Sequence, residues 1–127
     1  KTAYEIYQCD WSSDVCSSDL MFNEWPFMKY EHELEELWKD MPKCDVVVVH
    51  GPPYGAGDIV RYRGYQGSPT LANKLEELEI PWCICGHIHE NYGIHRLGKT
   101  RVVNAAILDD QYIRRHDPMR LEIVPSV

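Results

Sequence analysis

The sequence predicts an α/β fold built around two parallel strands joined by a helix. The first strand is predicted at residues 45–49, where a valine run without polar alternation is typical of a strand covered on both faces. The second is predicted at residues 82–85, a short apolar run between Pro81 and Gly86. Leucines at helical spacing in residues 69–78 predict an amphipathic helix between them. A strand, a helix and a strand in this order favour a parallel pair.

Three further elements are predicted around this unit. Residues 32–41 place apolar side chains three and four positions apart, which is the spacing of one helical face, and predict a short helix. Residues 94–97 and 101–103 flank a turn that contains Gly98 and predict a hairpin. Residues 119–124 predict a last strand, so strands should dominate the C-terminal third.

The composition is that of one globular domain and disfavours several functions. The 127 residues are 44% hydrophobic and 26% charged, which allows one modest core. A net charge of -7 disfavours a surface that wraps nucleic acid. No run approaches the roughly 20 apolar residues of a membrane helix, so we expect no membrane partner. Five cysteines, an odd number without a repeated spacing, favour a reducing cytoplasm.

Residues 1–20 are predicted to be a separate N-terminal segment, either disordered or not native. Residues 12–14 and 17–19 repeat the tripeptide Ser-Ser-Asp, with many turn-forming side chains and little apolar periodicity. The string at residues 9–20 also resembles a translated sequencing adaptor. The domain is therefore expected to occupy residues 21–127.

Three histidines follow the two predicted parallel strands. His50 ends the first strand within a His-Gly-Pro-Pro sequence, and His87 and His89 follow the second within Gly-His-Ile-His. Because ligand sites in open α/β sheets gather beyond the carboxyl ends of the strands, these side chains can converge. Imidazole is a ligand for zinc, iron, manganese or nickel. One histidine alone is usually a hydrogen-bonded surface or core residue, but three at matched strand ends predict a metal site.

A second hypothesis uses the alternating Cys83, Cys85, His87 and His89 as a structural zinc site. An extended strand rises about 3.3 Å per residue, so the first and last of these residues would lie about 20 Å apart. That separation is too large for one ion unless the loop folds sharply. The cysteines are expected to be buried strand side chains instead.

Several polar and aromatic residues near these histidines have two interpretations each. Arg61 and Arg63 could hold a phosphate by paired hydrogen bonds, although solvated loop charges explain them more simply. The tyrosines of residues 54–67 could stack on a nucleobase or serve in packing. Asn104 and Glu90 could orient a ligand, although a strand-end hydrogen bond to backbone explains Asn104 more simply and Glu90 could simply be exposed.

The paired motifs resemble calcineurin-like metallophosphoesterases, in the branch with a His-Gly-Pro-Pro turn. The resemblance covers about residues 21–127 and rests on Val46 to Val49, His50-Gly51-Pro52-Pro53, Gly86-His87-Ile88-His89-Glu90 and Val102-Val103-Asn104-Ala105. It implies the C-terminal half of a four-layer α/β/β/α sandwich. It also implies that His50 and His87 bind one divalent metal and His89 a second, with manganese, iron, zinc or nickel as candidates. Two such metals clamp a phosphate and activate a water nucleophile.

The N-terminal motifs of that family do not occur in this sequence, namely Asp-x-His, the Gly-Asp segment and Gly-Asn-His. The resemblance therefore implies that the intact protein hydrolyses phosphomonoesters or phosphodiesters and that this chain is an inactive fragment. The expected substrate is a small-molecule phosphate ester, with a nucleotide as one candidate. Two alternatives stay open: a non-catalytic interaction scaffold on the same fold, and a mononuclear site of three histidines with an open position for water.

Overall fold

The structure, a computed structural model, describes residues 6–9 and 30–124. The strands in this part of the chain are β1 (Ile6–Cys9), β2 (Val46–Val49), β3 (Ile59–Val60), β4 (Gly64–Tyr65), β5 (Trp82–Cys85), β6 (Gly93–Leu97) and β7 (Thr100–Asn104), and the α-helices are α1 (Glu31–Trp38) and α2 (Pro69–Glu77). Five strands form one sheet in the order β1-β2-β5-β7-β6, and β3 and β4 form a separate hairpin. Neither helix is long and apolar enough to cross a membrane.

The predicted parallel pair lies at the centre of the sheet. β2 and β5 run parallel, with Val46 opposite Trp82, and α2 separates them in the chain. β7 lies parallel to β5 on its other side, and β6 pairs antiparallel with β7 across a turn at Gly98. The strand-helix-strand unit, the hairpin and the α/β class are therefore confirmed.

Both faces of the sheet are covered. One face packs against the two helices, in a core that includes Val47, Val49, Cys83, Cys85 and Val102 from the strands and Leu34, Trp38, Leu71 and Leu75 from the helices. The other face presents Val46, Trp82 and Val103, which pack with Met119, Leu121 and Ile123. Because successive strand side chains point to opposite faces, neighbouring valines of β2 enter two different cores. This is why the valine run has no polar alternation.

Residues 119–124 do not form the predicted strand. Met119, Leu121 and Ile123 are half-buried against the sheet, whereas Arg120 and Glu122 are exposed. The alternation is that of a strand, but no described strand pairs with this segment. Alternating polarity indicates an extended segment with one covered face, and a strand also needs the backbone of a partner.

The local sequence explains where the helices begin. Ser68 is the N-cap of α2, where its hydroxyl accepts a backbone hydrogen bond, and Pro69 occupies the first helical position. α1 ends at Trp38, earlier than the predicted end at residue 41. Glu31, in the first turn of α1, accepts hydrogen bonds from the Ser68 and Thr70 hydroxyls at 3.0 and 2.9 Å. This carboxylate therefore links the N-terminal ends of both helices.

β1 lies within residues 1–20, the segment expected to be disordered or not native. Its four residues pair in parallel with β2, with Ile6 opposite Val46. Residues 10–29 lie outside the described residues, so the predicted domain boundary at residue 21 stays a prediction.

Candidate metal centre

His50 and His87 meet at the carboxyl edge of the sheet. They follow the ends of β2 and β5, which are parallel neighbours, and the N–H of Gly86 donates to the carbonyl oxygen of His50 at 2.9 Å. The Nε2 atom of His50 lies 3.1 Å from the Nδ1 atom of His87. Parallel strand ends thus bring together two imidazoles that are 37 residues apart in the chain.

His87 occupies a strained turn. Its φ of +64° lies in the left-handed region, which residues other than glycine adopt rarely. The N–H of Ile88 donates to the carbonyl oxygen of Gly86 at 2.7 Å, which closes a three-residue γ-turn around His87. Such strain costs roughly 1–3 kcal/mol and persists only where surrounding contacts fix it, most often at functional sites.

His89 lies in the short 3-10 helix His89–Asn91 and has different partners. Its Nδ1 atom is 2.7 Å from the carbonyl oxygen of Asp109, and its ring meets the ring of Tyr112 edge-on at 5.6 Å. Because a carbonyl oxygen only accepts, Nδ1 carries a proton. In the neutral imidazole this leaves the lone pair on Nε2.

The two later histidines line one open cleft. It has a volume of about 250 Å³ and is lined by His87, Ile88, His89, Val60, Glu90, Asp110 and Tyr112. A larger recess of about 560 Å³ shares Glu90 and Asp110 with it and is also lined by Ile59, Arg61 and Asn91. The described residues contain no group of three or more His, Cys, Asp or Glu side chains arranged to hold a metal ion. The assignment of His50, His87 and His89 as ligands of one centre therefore stays a prediction.

Asn104 fixes the backbone between His87 and His89 by a side-chain hydrogen bond. Its side chain is fully buried at the end of β7, and its Nδ2 group donates to the carbonyl oxygens of Ile88 at 2.8 Å and Gly57 at 2.9 Å. Its Oδ1 atom accepts from the N–H of Ala106 at 3.0 Å. Of the two interpretations open from the sequence, backbone bonding is confirmed, and Ile88 is the residue that separates His87 from His89.

The β3-β4 hairpin is anchored to the residues that follow His89. A Glu90 carboxylate oxygen accepts from the N–H of Arg61 at 2.6 Å, and Asn91 Oδ1 accepts from the N–H of Ile59 at 3.0 Å. The guanidinium of Arg61 lies 5.0 Å from the ring centre of Tyr62, whose side chain is 92% exposed. This hairpin was not predicted, because the loop lacks apolar alternation and its pairing depends on these distant acceptors.

Asp58 organises the loop that leads from His50 to α2. It is fully buried, and its carboxylate accepts from the N–H of Gly55 at 3.1 Å and from the N–H of Gly67 at 2.7 Å. This role of Asp58 was not predicted from the sequence. A signal was present, because an aspartate within a glycine-rich loop is a common acceptor for nearby backbone N–H groups.

The two cysteines of β5 do not join the histidines. Cys83 and Cys85 are buried free thiols in the helix-facing core. Burial raises the pKa of both, and together with the nearby charge of Asp58 it raises the pKa of Cys85 to about 12. The position of both thiols in this core confirms the expectation of buried strand side chains.

A family model described as calcineurin-like phosphoesterase matches residues 7–91, more than half of the chain. The chain belongs to the calcineurin-like phosphoesterase family. The match spans His50, His87 and His89, together with the Glu90 and Asn91 anchors of the hairpin. The predicted family and its fold are therefore confirmed.

Several curated proteins resemble this calcineurin-like phosphoesterase chain along most of its length. A UPF0046 protein of Caenorhabditis elegans is 27% identical over 95% of this chain and 50% of its own. Metallophosphoesterase domain-containing protein 1 of Homo sapiens is 29% identical over 94% of this chain and 36% of its own. An uncharacterized protein of Methanocaldococcus jannaschii is 40% identical over 65% of this chain and 39% of its own. The chain spans half or less of the length of these relatives.

Proposed function

We propose that the intact protein hydrolyses phosphomonoesters or phosphodiesters of small molecules with two divalent cations, in the cleft that His87 and His89 line beside His50. Family membership supports metal-dependent phosphoester chemistry in general. The observation that carries the residue assignment is the pair of imidazole nitrogens 3.1 Å apart at neighbouring parallel strand ends.

The spacing of this histidine pair fits two ligands of one cation. Metal-nitrogen bonds of about 2.0–2.1 Å, at the angles of tetrahedral or octahedral sites, place two ligand nitrogens about 2.9–3.4 Å apart. The separation of 3.1 Å between His50 Nε2 and His87 Nδ1, which is a hydrogen bond in the metal-free chain, falls within this range, so a cation could replace the shared proton. The strained turn at His87 supports the same assignment, because the strain places the imidazole against its partner.

The hydrogen bonding of His89 fits a ligand of the second cation. Metal-binding histidines usually donate their other ring N–H to a carbonyl or carboxylate, and His89 donates from Nδ1 to the Asp109 carbonyl. Its Nε2 atom is then the nitrogen that would bind metal, on a side chain that lines the cleft. The alternative of a mononuclear site would require that His50, His87 and His89 all bind the same ion.

When bound, two divalent cations neutralise the phosphoryl oxygens and activate the nucleophile of an in-line displacement. The residues of this chain would hold the cations and orient the side chains that bind them. His50, His87 and His89 supply neutral nitrogen donors, and Asn104 fixes the carbonyl of the residue between the two later histidines. Because no described cluster completes a metal site, we propose that the remaining ligands come from elsewhere in the protein.

Arg61 supports a phosphate-ester substrate. It lines the recess that adjoins the histidine cleft, where a guanidinium can hold phosphate oxygens by two parallel hydrogen bonds. The neighbouring Tyr62 ring is exposed and offers a surface on which an aromatic base can stack, so we keep a nucleotide as one candidate. Arg61→Ala should raise KM more than it lowers kcat. Arg63→Ala, which removes an exposed arginine of the same hairpin that does not line the recess, is the matched control.

We also propose a reducing compartment, the cytoplasm. Five cysteines without a repeated spacing, with Cys44, Cys83 and Cys85 present as buried free thiols, support this proposal.

The direct test is hydrolysis of an aryl phosphodiester and an aryl phosphomonoester by the full-length protein in manganese. His87→Ala should lower kcat/KM by more than the roughly 100-fold loss caused by removing an outer partner of a metal ligand. His32→Ala, which removes an exposed histidine of α1, should leave turnover unchanged. Full activity in His87→Ala would refute the assignment, and a metal-replete wild type without turnover would favour the non-catalytic scaffold.

A further inference from the structure

Residues 107–116 form a closed turn beside the histidine cleft, here called the 107–116 loop. The N–H of Asp109 donates to the carbonyl of Ile113 at 2.8 Å, and the N–H of Arg115 donates to the carbonyl of Ile107 at 2.9 Å. The sequence pattern of this segment predicts neither a structure nor a function. Its backbone is nevertheless fixed at both ends.

The side chain of Asp109 organises this loop from within. Its Oδ1 atom accepts from the N–H groups of Gln111 and Ile113, each at 2.9 Å, and its Oδ2 atom accepts from Arg115 Nε at 2.7 Å. One carboxylate therefore ties together three other residues of the loop. Removing it should release the turn while leaving the distant sheet intact.

The loop presents two groups to His89. The carbonyl oxygen of Asp109 accepts the His89 Nδ1–H bond, and the Tyr112 ring meets the imidazole at an interplanar angle of 86°. Tyr112 has a φ of +61°, a strained value for a tyrosine, and its N–H donates to the Asp109 carbonyl at 3.0 Å. The bonds around Asp109 hold this conformation against its strain.

We propose that the 107–116 loop is a positioning device for His89, in which the Asp109 carbonyl selects the Nδ1–H tautomer and the Tyr112 ring sets the plane of the imidazole. The result is a lone pair on Nε2, on a side chain that lines the cleft. Asp109 and Tyr112 are positioning residues that act through His89. That Nε2 serves to bind a cation rests on the proposed function, whereas the choice of tautomer does not.

His95 provides an internal standard for measuring this effect. Its Nε2 atom lies 2.9 Å from the carbonyl oxygen of Asn91, so the same argument assigns His95 the opposite tautomer, Nε2–H. Long-range proton-nitrogen NMR spectra of the metal-free chain, recorded at a pH where imidazoles are neutral, distinguish the two tautomers. His89 should show the Nδ1–H pattern and His95 the Nε2–H pattern.

Asp109→Ala should shift the tautomer ratio of His89 toward Nε2–H by about tenfold, which corresponds to about 1.4 kcal/mol. Gln111→Ala truncates an exposed side chain of the same loop, keeps the backbone N–H that bonds to Asp109, and should leave the ratio unchanged. Arg115→Ala removes one of the carboxylate's partners and should give a smaller shift in the same direction. The His95 pattern should persist in every variant and report that the sheet stays folded.

An Nε2–H tautomer of His89 in the wild type would overturn the proposal. An unchanged ratio in both Asp109→Ala and Arg115→Ala, with the His95 pattern intact, would also overturn it. If Asp109→Ala unfolds the chain, the His89 tautomer ratio of the milder Arg115→Ala variant tests the proposal. Zinc titration of the same samples separates this proposal from the proposed function: the predicted tautomer together with a zinc affinity that His89→Ala leaves unchanged would support the loop's role and contradict the metal site.

Discussion

Asn104→Ala should destabilise the chain by about 3 kcal/mol, within a range of roughly 2–5 kcal/mol. The fully buried side chain makes three hydrogen bonds of 2.8–3.0 Å, to the carbonyls of Ile88 and Gly57 and from the N–H of Ala106. Each bond contributes about 1 kcal/mol net, and a buried group left without a partner costs about 1–3 kcal/mol more. Alanine removes all three bonds and supplies no replacement.

Urea denaturation followed by tryptophan fluorescence measures this loss. Asn104→Asp is the sharper variant, because it keeps the size of the side chain and the acceptor for Ala106 but replaces the donor group with an oxygen that faces two carbonyls. It should destabilise the chain at least as much as alanine. The exposed Asn73 of α2 is the matched control, and Asn73→Ala should stay within about 0.5 kcal/mol of the wild type. A loss below about 1 kcal/mol in both Asn104 variants would refute the reasoning, because the two carbonyls would then have other partners.

Two further predictions concern the loop after His50 and the core thiols. Gly67→Ala should destabilise the folded chain by at least about 1–3 kcal/mol, because a Cβ atom there would lie 2.4 Å from the Pro53 carbonyl oxygen. Gly86→Ala is the control, because a Cβ atom at Gly86 meets nothing within 4 Å. Equal urea midpoints for the two variants would contradict the prediction. Cys85 should make stability fall at alkaline pH, since its folded pKa of about 12 exceeds the unfolded value near 8.5. The stability that the protonated Cys85 thiol contributes is complete below about pH 8.5. It is lost as the pH rises toward 12, by up to about 1.4 kcal/mol per pH unit. Urea denaturation at pH 8 and pH 10 should show a steeper loss for the wild type than for Cys85→Ala, and equal losses would contradict this.

The central sheet and the edge that carries the histidines were predictable because their signals are local. Valines without polar alternation marked β2, and the bounds of β5 match the apolar run at residues 82–85. Ser68 and Pro69 marked the start of α2 through the needs of the first helical turn. A parallel connection then placed His50 and His87 at one edge, and their nitrogens do meet.

The parts that were missed depend on contacts between distant residues. β1 exists as a strand through its parallel pairing with β2, about 40 residues away, and residues 119–124 show strand alternation without a described partner. The γ-turn at His87 needs a φ that residue preference argues against. The bond from His89 to the Asp109 carbonyl joins residues 20 positions apart, and no side-chain pattern reports a backbone acceptor.

The most direct test of the metal site is calorimetric titration of the full chain with zinc and manganese, comparing the wild type with His50→Ala, His87→Ala and the double variant. If the two imidazoles share one cation, each single substitution should weaken that binding event at least about tenfold, and the double variant should be little worse than either single one. His116→Ala, which removes an exposed histidine that stacks on Tyr92, should bind as the wild type does. Metal affinity that is unchanged in His50→Ala and His87→Ala would contradict a shared cation at this edge of the sheet.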